Sequence, residues 1–446
     1  MKIALCHFRV GETDGVSLEM DKWKKALENL GHEVIYIAGS AGNCDAEIIP
    51  GLHYQLPLNN EIVAQAYEKI RPTWSEEKLK SQLFTLADTI EKALVSIIKA
   101  QQVDVIVPNN ILSLGWGLPA GIAFSNAIHT SDIKTICHHH DFYWERVLYS
   151  NPNHAFINEL LNQHFPPPYP NIQHVCINHL AKAELKQRHD LDAHVVPNVF
   201  DFDAVHIKKD AFNRRMRTEL GIGDNDLVFL QATRVVERKA IETAIDYVAA
   251  FKKLESEFVG KPLYNGKIFN ADNRIHLVLA GQPESSVYYE RLLSYTKEKQ
   301  VNLIDISHRV AHRRSGSGRN KTYSLWDAYS IADVVTYPSI LEGWGNQLLE
   351  AIVARLPIAC YEYPVFESDI KKYEFSLISF GNRHSIKDDW VKIDEQTLED
   401  AVRHTLKFLK DKDYYSKETE KNYRIAQQEL SVTKLQDVLK PIFEDV

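Results

Sequence analysis

The sequence predicts an α/β protein of two parallel-sheet domains, and three observations carry that prediction. The chain has 446 residues, too many for one compact core and enough for two domains of about 200 residues each. Near its start, an apolar stretch at 2–8, a helical pattern at 17–30 stopped by Gly31, and a second apolar stretch at 33–38 form a strand-helix-strand unit. Such a unit makes a parallel sheet. After residue 227, short apolar strands alternate with helical stretches again.

Taken in order, residues 9–17 make a polar loop with Gly11 and Gly15 at the carboxyl end of the first strand, where ligands of parallel sheets bind. Residues 40–74 mix turn residues with short apolar pieces and read as a helical insertion. A long helix is expected at about 75–100 and a buried strand at 103–107. The stretch from Gly115 to Gly121 departs from a dinucleotide fingerprint in spacing and contains Pro119, so close helix packing explains its glycines. A strand at 133–137 runs into His138, His139, His140 and Asp141, followed by Phe142, Tyr143, Trp144, Glu145 and Arg146. Neighbours on a strand point to opposite faces, so three consecutive histidines cannot all ligate one metal ion. Aromatic rings with polar tips suit sugar rings; packing at a sheet edge is the alternative. Pro166–Pro168 form a stiff connector, strands at 174–177 and 194–196 follow, and the linker is placed at about 200–209.

The second domain opens with a helix expected at 211–220 and a strand at 227–232. Beyond that strand stand Arg234 and Lys239. Arg supplies a planar fork and Lys a point charge, and both can converge on a diphosphate. Arg238, between them, reads as solvated. Strands at 275–280 and 301–306 come next. The basic run 313–321, with Gly316 and Gly318, reads as a mobile solvated loop, with a phosphate-gripping lid as the sharper alternative.

The stretch Tyr337-Pro-Ser-Ile-Leu-Glu-Gly-Trp-Gly-Asn-Gln-Leu-Leu-Glu350 organises this domain. An apolar strand at 333–337 enters a turn with Glu342, Gly343 and Gly345. A helix then starts near Asn346, with Leu348, Leu349, Ile352 and Val353 at helical spacing. Asn346 is the expected N-cap. Amides at a helix start, with the positive dipole end, make an anion site. Carboxylates are poor partners for phosphate and good acceptors for sugar hydroxyls. Glu342 and Glu350 on either side of the helix start therefore fit a nucleotide sugar, with a plain strand-turn-helix bearing solvated acids as the alternative.

Bulk properties narrow the classes. The formal net charge of −8 disfavours nucleic-acid binding as the main task. No apolar run approaches the roughly 20 residues of a membrane span, and the helix at 75–100 carries both signs, which favours a soluble acceptor over a lipid. The start reads as a first strand and not a signal peptide. Five cysteines without paired short spacing argue against a disulfide framework or a zinc site and fit a reducing cytoplasm.

Glu342 and Glu350 within Pro-Ser-x-x-Glu-Gly-x-Gly resemble the paired-glutamate motif of the retaining glycosyltransferases of family 4, with Trp344 in place of the more usual Phe. The resemblance implies the GT-B fold, two Rossmann-like domains facing across a cleft. It implies domains at 1–205 and 206–415, with helices at 416–446 crossing back onto the first. It also assigns roles: Glu342 meets the transferred sugar, Glu350 the ribose, and the backbone of Gly343, Trp344, Gly345, Asn346, Gln347 and Leu348 holds the diphosphate. Arg234 and Lys239 resemble the family's Arg-x4-Lys pair, which neutralises the leaving group. His140 and Asp141 resemble the His-Asp pair beside the donor sugar, and Arg309 and Val310 fall where relatives cradle the base. Gly15 falls where relatives carry a glycine pair, a simple turn glycine being the alternative. Pro197-Asn198-Val199 resembles the segment closing the first domain.

The expected function is thus retaining transfer of a hexosyl group from a nucleoside diphosphate sugar, of the UDP-glucose or GDP-mannose type, to a hydroxyl acceptor. No cofactor is expected: the two cations are expected to replace a metal. The rivals are a nucleotide-sugar epimerase and a non-catalytic nucleotide-sugar-binding protein.

Overall fold

The computed structural model describes residues 1–12, 14–68, 73–205, 207, 209–311 and 313–445. Thr13 of the first loop, 69–72 of the insertion, His206 and Lys208 of the linker stretch, and His312 lie outside the described residues, as does the side chain of Arg319. The chain forms two compact units, 1–199 with 432–446, and 200–431.

In the first unit the strands are β1 (Lys2–Val10), β2 (Glu33–Ala41), β3 (Glu47–Ile48), β4 (Val105–Pro108), β5 (Lys134–His139), β6 (Ile172–Cys176) and β7 (Ala193–Val195). They form one sheet in the order β3-β2-β1-β4-β5-β6-β7, with every pairing parallel. β1 is apolar on both faces because helices cover both. Ala4 and Cys6 enter one core with Leu83, Leu94, Ile106 and Phe124. Ile3 and Leu5 enter the other with Trp23, Leu27, Leu435 and Leu439. Asp14 starts the helix Gly15–Asn29 by accepting the amides of Val16 and Ser17 at 3.2 Å. Met20, Trp23, Ala26 and Leu27 form its buried stripe. The helix Val432–Glu444 packs against that stripe through Leu435, Leu439, Ile442 and Phe443.

The second unit holds β8 (Leu227–Gln231), β9 (Ile275–Leu279), β10 (Asn302–Asp305), the short pair β11 (Val310–Ala311) and β12 (Tyr323–Ser324), then β13 (Val334–Tyr337), β14 (Ile358–Cys360), β15 (Ile378–Ser379) and the hairpin β16 (Ser385–Lys387) with β17 (Trp390–Lys392). Its main sheet runs β10-β9-β8-β13-β14-β15, again all parallel. In each sheet the strand order reverses beside the first strand of the unit, between β1 and β4 and between β8 and β13. Such reversals open crevices at strand carboxyl ends.

Three details differ from the sequence reading. The helix expected at 211–220 is one turn, Met216–Glu219. Upstream of it, Asp210 ties the backbone into a local turn by accepting the amides of Phe212 and Asn213. The insertion at 40–74 supplies the edge strand β3, a helix at Pro57–Val63 and one wide helical turn at Ala64–Glu68. The chain rejoins the first unit at Val432, not near 416. The helix Lys412–Glu429 stays with the second unit, where Asn422 brackets the backbone of Ser376 with two hydrogen bonds of 2.7 and 2.8 Å.

Candidate active site

In the second unit, the residues following β8 and β13 meet because these strands are neighbours, with Leu230 opposite Val335. Lys239 lies in a short turn at Glu237–Lys239 after β8. Its ammonium forms an ion pair with Glu342. Arg238, expected to be solvated, pairs with the same carboxylate at 3.0 Å and donates to the carbonyl of Leu341 at 2.9 Å. The reason is the turn: it directs consecutive side chains to one loop, which linear spacing does not reveal. Burial acts to raise the Glu342 carboxyl, but Lys239 and Arg238 outweigh it and hold the group below the usual carboxylate range. Burial brings Lys239 below its ordinary value, against the pull of Glu342.

Arg234 reaches the same sheet edge but pairs with Glu284 beyond β9, on the exposed surface. Gly281 permits this approach of the two loops, since a Cβ there would lie 1.9 Å from the carbonyl oxygen of Thr233.

The helix after β13 is Asn346–Val353. Asn346 is its first residue and not its cap; that position belongs to Gly345, at φ +140°. A Cβ there would come within 2.3 Å of the Tyr363 hydroxyl, which donates to the Trp344 carbonyl. Only glycine meets both demands. Gly345, as N-cap, has no side chain to cap the helix start, whose positive dipole end lies at the carboxyl end of β13. Trp344 and Leu348 are buried beneath it. Gln347 is buried with neither amide atom hydrogen-bonded among the described residues. Glu350, one turn on, accepts from the buried Tyr329 hydroxyl at 2.8 Å. Gly343 begins the turn between Glu342 and the helix.

Arg309 follows β10 and leans on Glu219, 3.3 Å from its carbonyl oxygen and 3.5 Å from its carboxylate, over the ring of Tyr323. Val310 opens β11. In the basic run, Arg314 is held by Asp327 and Asp210 and Lys321 by Glu219 and the Phe212 carbonyl. These two cations brace the unit.

In the first unit, His140 and Asp141 follow β5 at the crevice beside β4. Asn110 accepts both of their amides, at 2.7 and 3.0 Å. Asn109 places its side-chain oxygen 3.2 Å from His140 Nε2 and 2.9 Å from His138 Nδ1, and its carbonyl 2.8 Å from His7 Nδ1. An amide oxygen only accepts, so His140 donates through Nε2 and leaves Nδ1 as an acceptor. Burial, reinforced by His7, pulls His140 down to about 3, so the ring is neutral. Asp141 pairs with Arg146 at 2.8 Å. Phe142 is fully buried against His139 and stacks on Trp144, so it packs the sheet edge. Gly15 is the first residue of its helix, and Asp14 already occupies the amides there.

The sequence reading took Arg238 as solvated and did not single out Asn109, Asn110 or Tyr363. The asparagine pair had a signal: two consecutive amides directly after the apolar run Val105–Pro108. Tyr363 had none.

Residues 212–424 match the family model described as glycosyl transferases group 1. Mannosylglucosylglycerate synthase from Petrotoga mobilis is 41% identical over 92% of this chain and 94% of its own. The protein of the same name from Thermotoga maritima is 38% identical over 98% and 99%. Among solved structures, Anabaena HepE in complex with UDP and glucose covers all of both chains with a TM-score of 0.59 at 13% identity. The lipopolysaccharide-biosynthesis glycosyltransferase WaaG covers 99% of both with a TM-score of 0.58 at 13% identity. The protein is a GT-B glycosyltransferase and belongs to the glycosyl transferases group 1 family.

Proposed function

We propose that this protein transfers a mannosyl group from a nucleoside diphosphate mannose to a hydroxyl of glucosylglycerate, with retention at the anomeric carbon. The observation behind the choice of substrates is 41% identity, along nearly the whole chain, to a mannosylglucosylglycerate synthase. The ion cluster of Lys239, Arg238 and Glu342 beside a helix start with a glycine N-cap supports the donor reading. A diphosphate at the amides of 346–348 draws the charge of Lys239 and Arg238 toward it. Stabilising the leaving diphosphate in this way supplies most of the rate, without a metal ion at the transfer step. Glu342 then orients the sugar and Glu350 the ribose.

The test is incubation with GDP-mannose, UDP-glucose or no donor, each with and without glucosylglycerate, read by mass spectrometry and NMR. The expected product is one hexosyl unit heavier than the acceptor, two sugars on glycerate, with a retained linkage, at a rate unchanged by added Mg2+ or Mn2+. Conversion of the donor without acceptor would instead establish an epimerase, and binding without turnover a sensor protein.

A further inference from the structure

The face of β5 and β6 opposite His140 carries chemistry that the transfer reaction does not use. The two strands pair in parallel with Cys137 opposite His174 and His139 opposite Cys176. Side chains two apart on a strand share a face. Cys-x-His on one strand and His-x-Cys on the next therefore place four metal-ligand side chains in one two-by-two patch. All four are buried. Cys137 belongs to an apolar core with Ile106, Ile157 and Phe165, where aliphatic side chains are the usual filling.

One donor atom each from Cys137, His139 and His174 lies within 4.8 Å of the others. His139 Nε2 is 3.1 Å from His174 Nδ1. A tetrahedral zinc with bonds of about 2.0–2.3 Å sets its ligands roughly 3.3–3.8 Å apart, so small side-chain adjustments suffice. The donor set, one or two thiolates and two imidazoles, suits zinc and similar borderline metals and not magnesium or calcium.

We propose that Cys137, His139 and His174 bind a structural zinc-type cation, with Cys176, opposite His139 in register but outside that trio's 4.8 Å, as the candidate fourth ligand. Each bound thiol releases its proton to solvent. The proton between the two rings moves to the outer nitrogen of the ring that donated it, the other ring already holding its proton on its outer nitrogen, so His139 Nε2 and His174 Nδ1 both become donors to the metal. Burial pushes the Cys137 thiol up, and a bound dication is what would stabilise the thiolate there. The site ties β5 to β6 directly ahead of His140 and Asp141.

The test uses the full-length protein expressed with added zinc. Elemental analysis should find about one zinc per chain. Metal-stripped protein should take up cobalt(II) with a sulfur-to-cobalt charge-transfer band in the near ultraviolet, and zinc should raise its melting temperature. Cys137→Ser and His174→Gln should lose the band and the zinc-dependent shift while circular dichroism still reports a folded chain. Should a variant not fold, the wild-type zinc content and cobalt spectrum decide alone. Folded wild-type protein without stoichiometric zinc and without cobalt uptake overturns the proposal, as does an unaltered cobalt spectrum in both variants.

Discussion

Glu342, proposed above to orient the sugar, also has a structural role. Its carboxylate compensates Lys239, which is 7% exposed, and the partly buried Arg238. Glu342→Ala strands both cations, and removing one partner of a buried pair costs about 3–5 kcal/mol. We expect Glu342→Ala to lower both activity and the urea midpoint. Glu342→Gln keeps the shape and an acceptor but not the charge; it should lose less stability than Glu342→Ala and still lose about 100-fold or more in kcat. A Gln variant with normal kcat would remove Glu342 from the mechanism. Arg234→Ala, at an exposed pair, should change stability by under about 1 kcal/mol, so any loss in kcat/KM there reports on the reaction.

At the scale of elements, the helix Asn346–Val353 depends on a single glycine. Gly345→Ala must adopt φ +140° and displace the Tyr363 hydroxyl. Strain of this kind costs about 1–3 kcal/mol. Gly345→Ala together with Tyr363→Phe relieves the contact and not the backbone, so thermal melts should show only partial rescue. The loop before the helix Leu325–Ile331 depends on Asp327 in a comparable way. Its carboxylate accepts from the Ser324 amide, Asn213 and Arg314. Burial raises its carboxyl, but these partners prevail and hold it below the ordinary Asp value. The stabilisation is therefore complete above the unfolded-state value near 4 and is lost as pH falls through the lower folded value. Asp327→Asn should cost about 2 kcal/mol at pH 7, and urea melts should show the gap to wild type narrowing below pH 4.

At the scale of the whole molecule, the chain's last helix belongs to the unit that its first residues begin. Leu439 is fully buried against the stripe of the helix Gly15–Asn29. Leu439→Ala should cost about 2–5 kcal/mol, and truncation after Ser431 should expose that stripe and lower solubility. A truncated protein melting like the full-length one would contradict this packing. Among the described residues, no helix is long and apolar enough to cross a membrane, and the long helix Glu76–Gln101 turns Leu83, Leu86, Ile90 and Leu94 into the core.

Local pattern alone determined much of this protein. Apolar runs and their helical interludes set two parallel sheets, because a strand buried on both faces has no other composition open to it. Glu342, Gly343 and Gly345 marked the turn before a buried helix for the same reason: the spacing is local. Tertiary structure decided what no spacing could. Strand order put Arg238 and Lys239 on Glu342, gave Tyr363 its place under Gly345, and took the terminal helix back to the first unit. It also set Cys137 opposite His174, residues 37 apart in sequence, on one face of the sheet. Side-chain partners across neighbouring strands depend on topology and register, and both are properties of the packed chain.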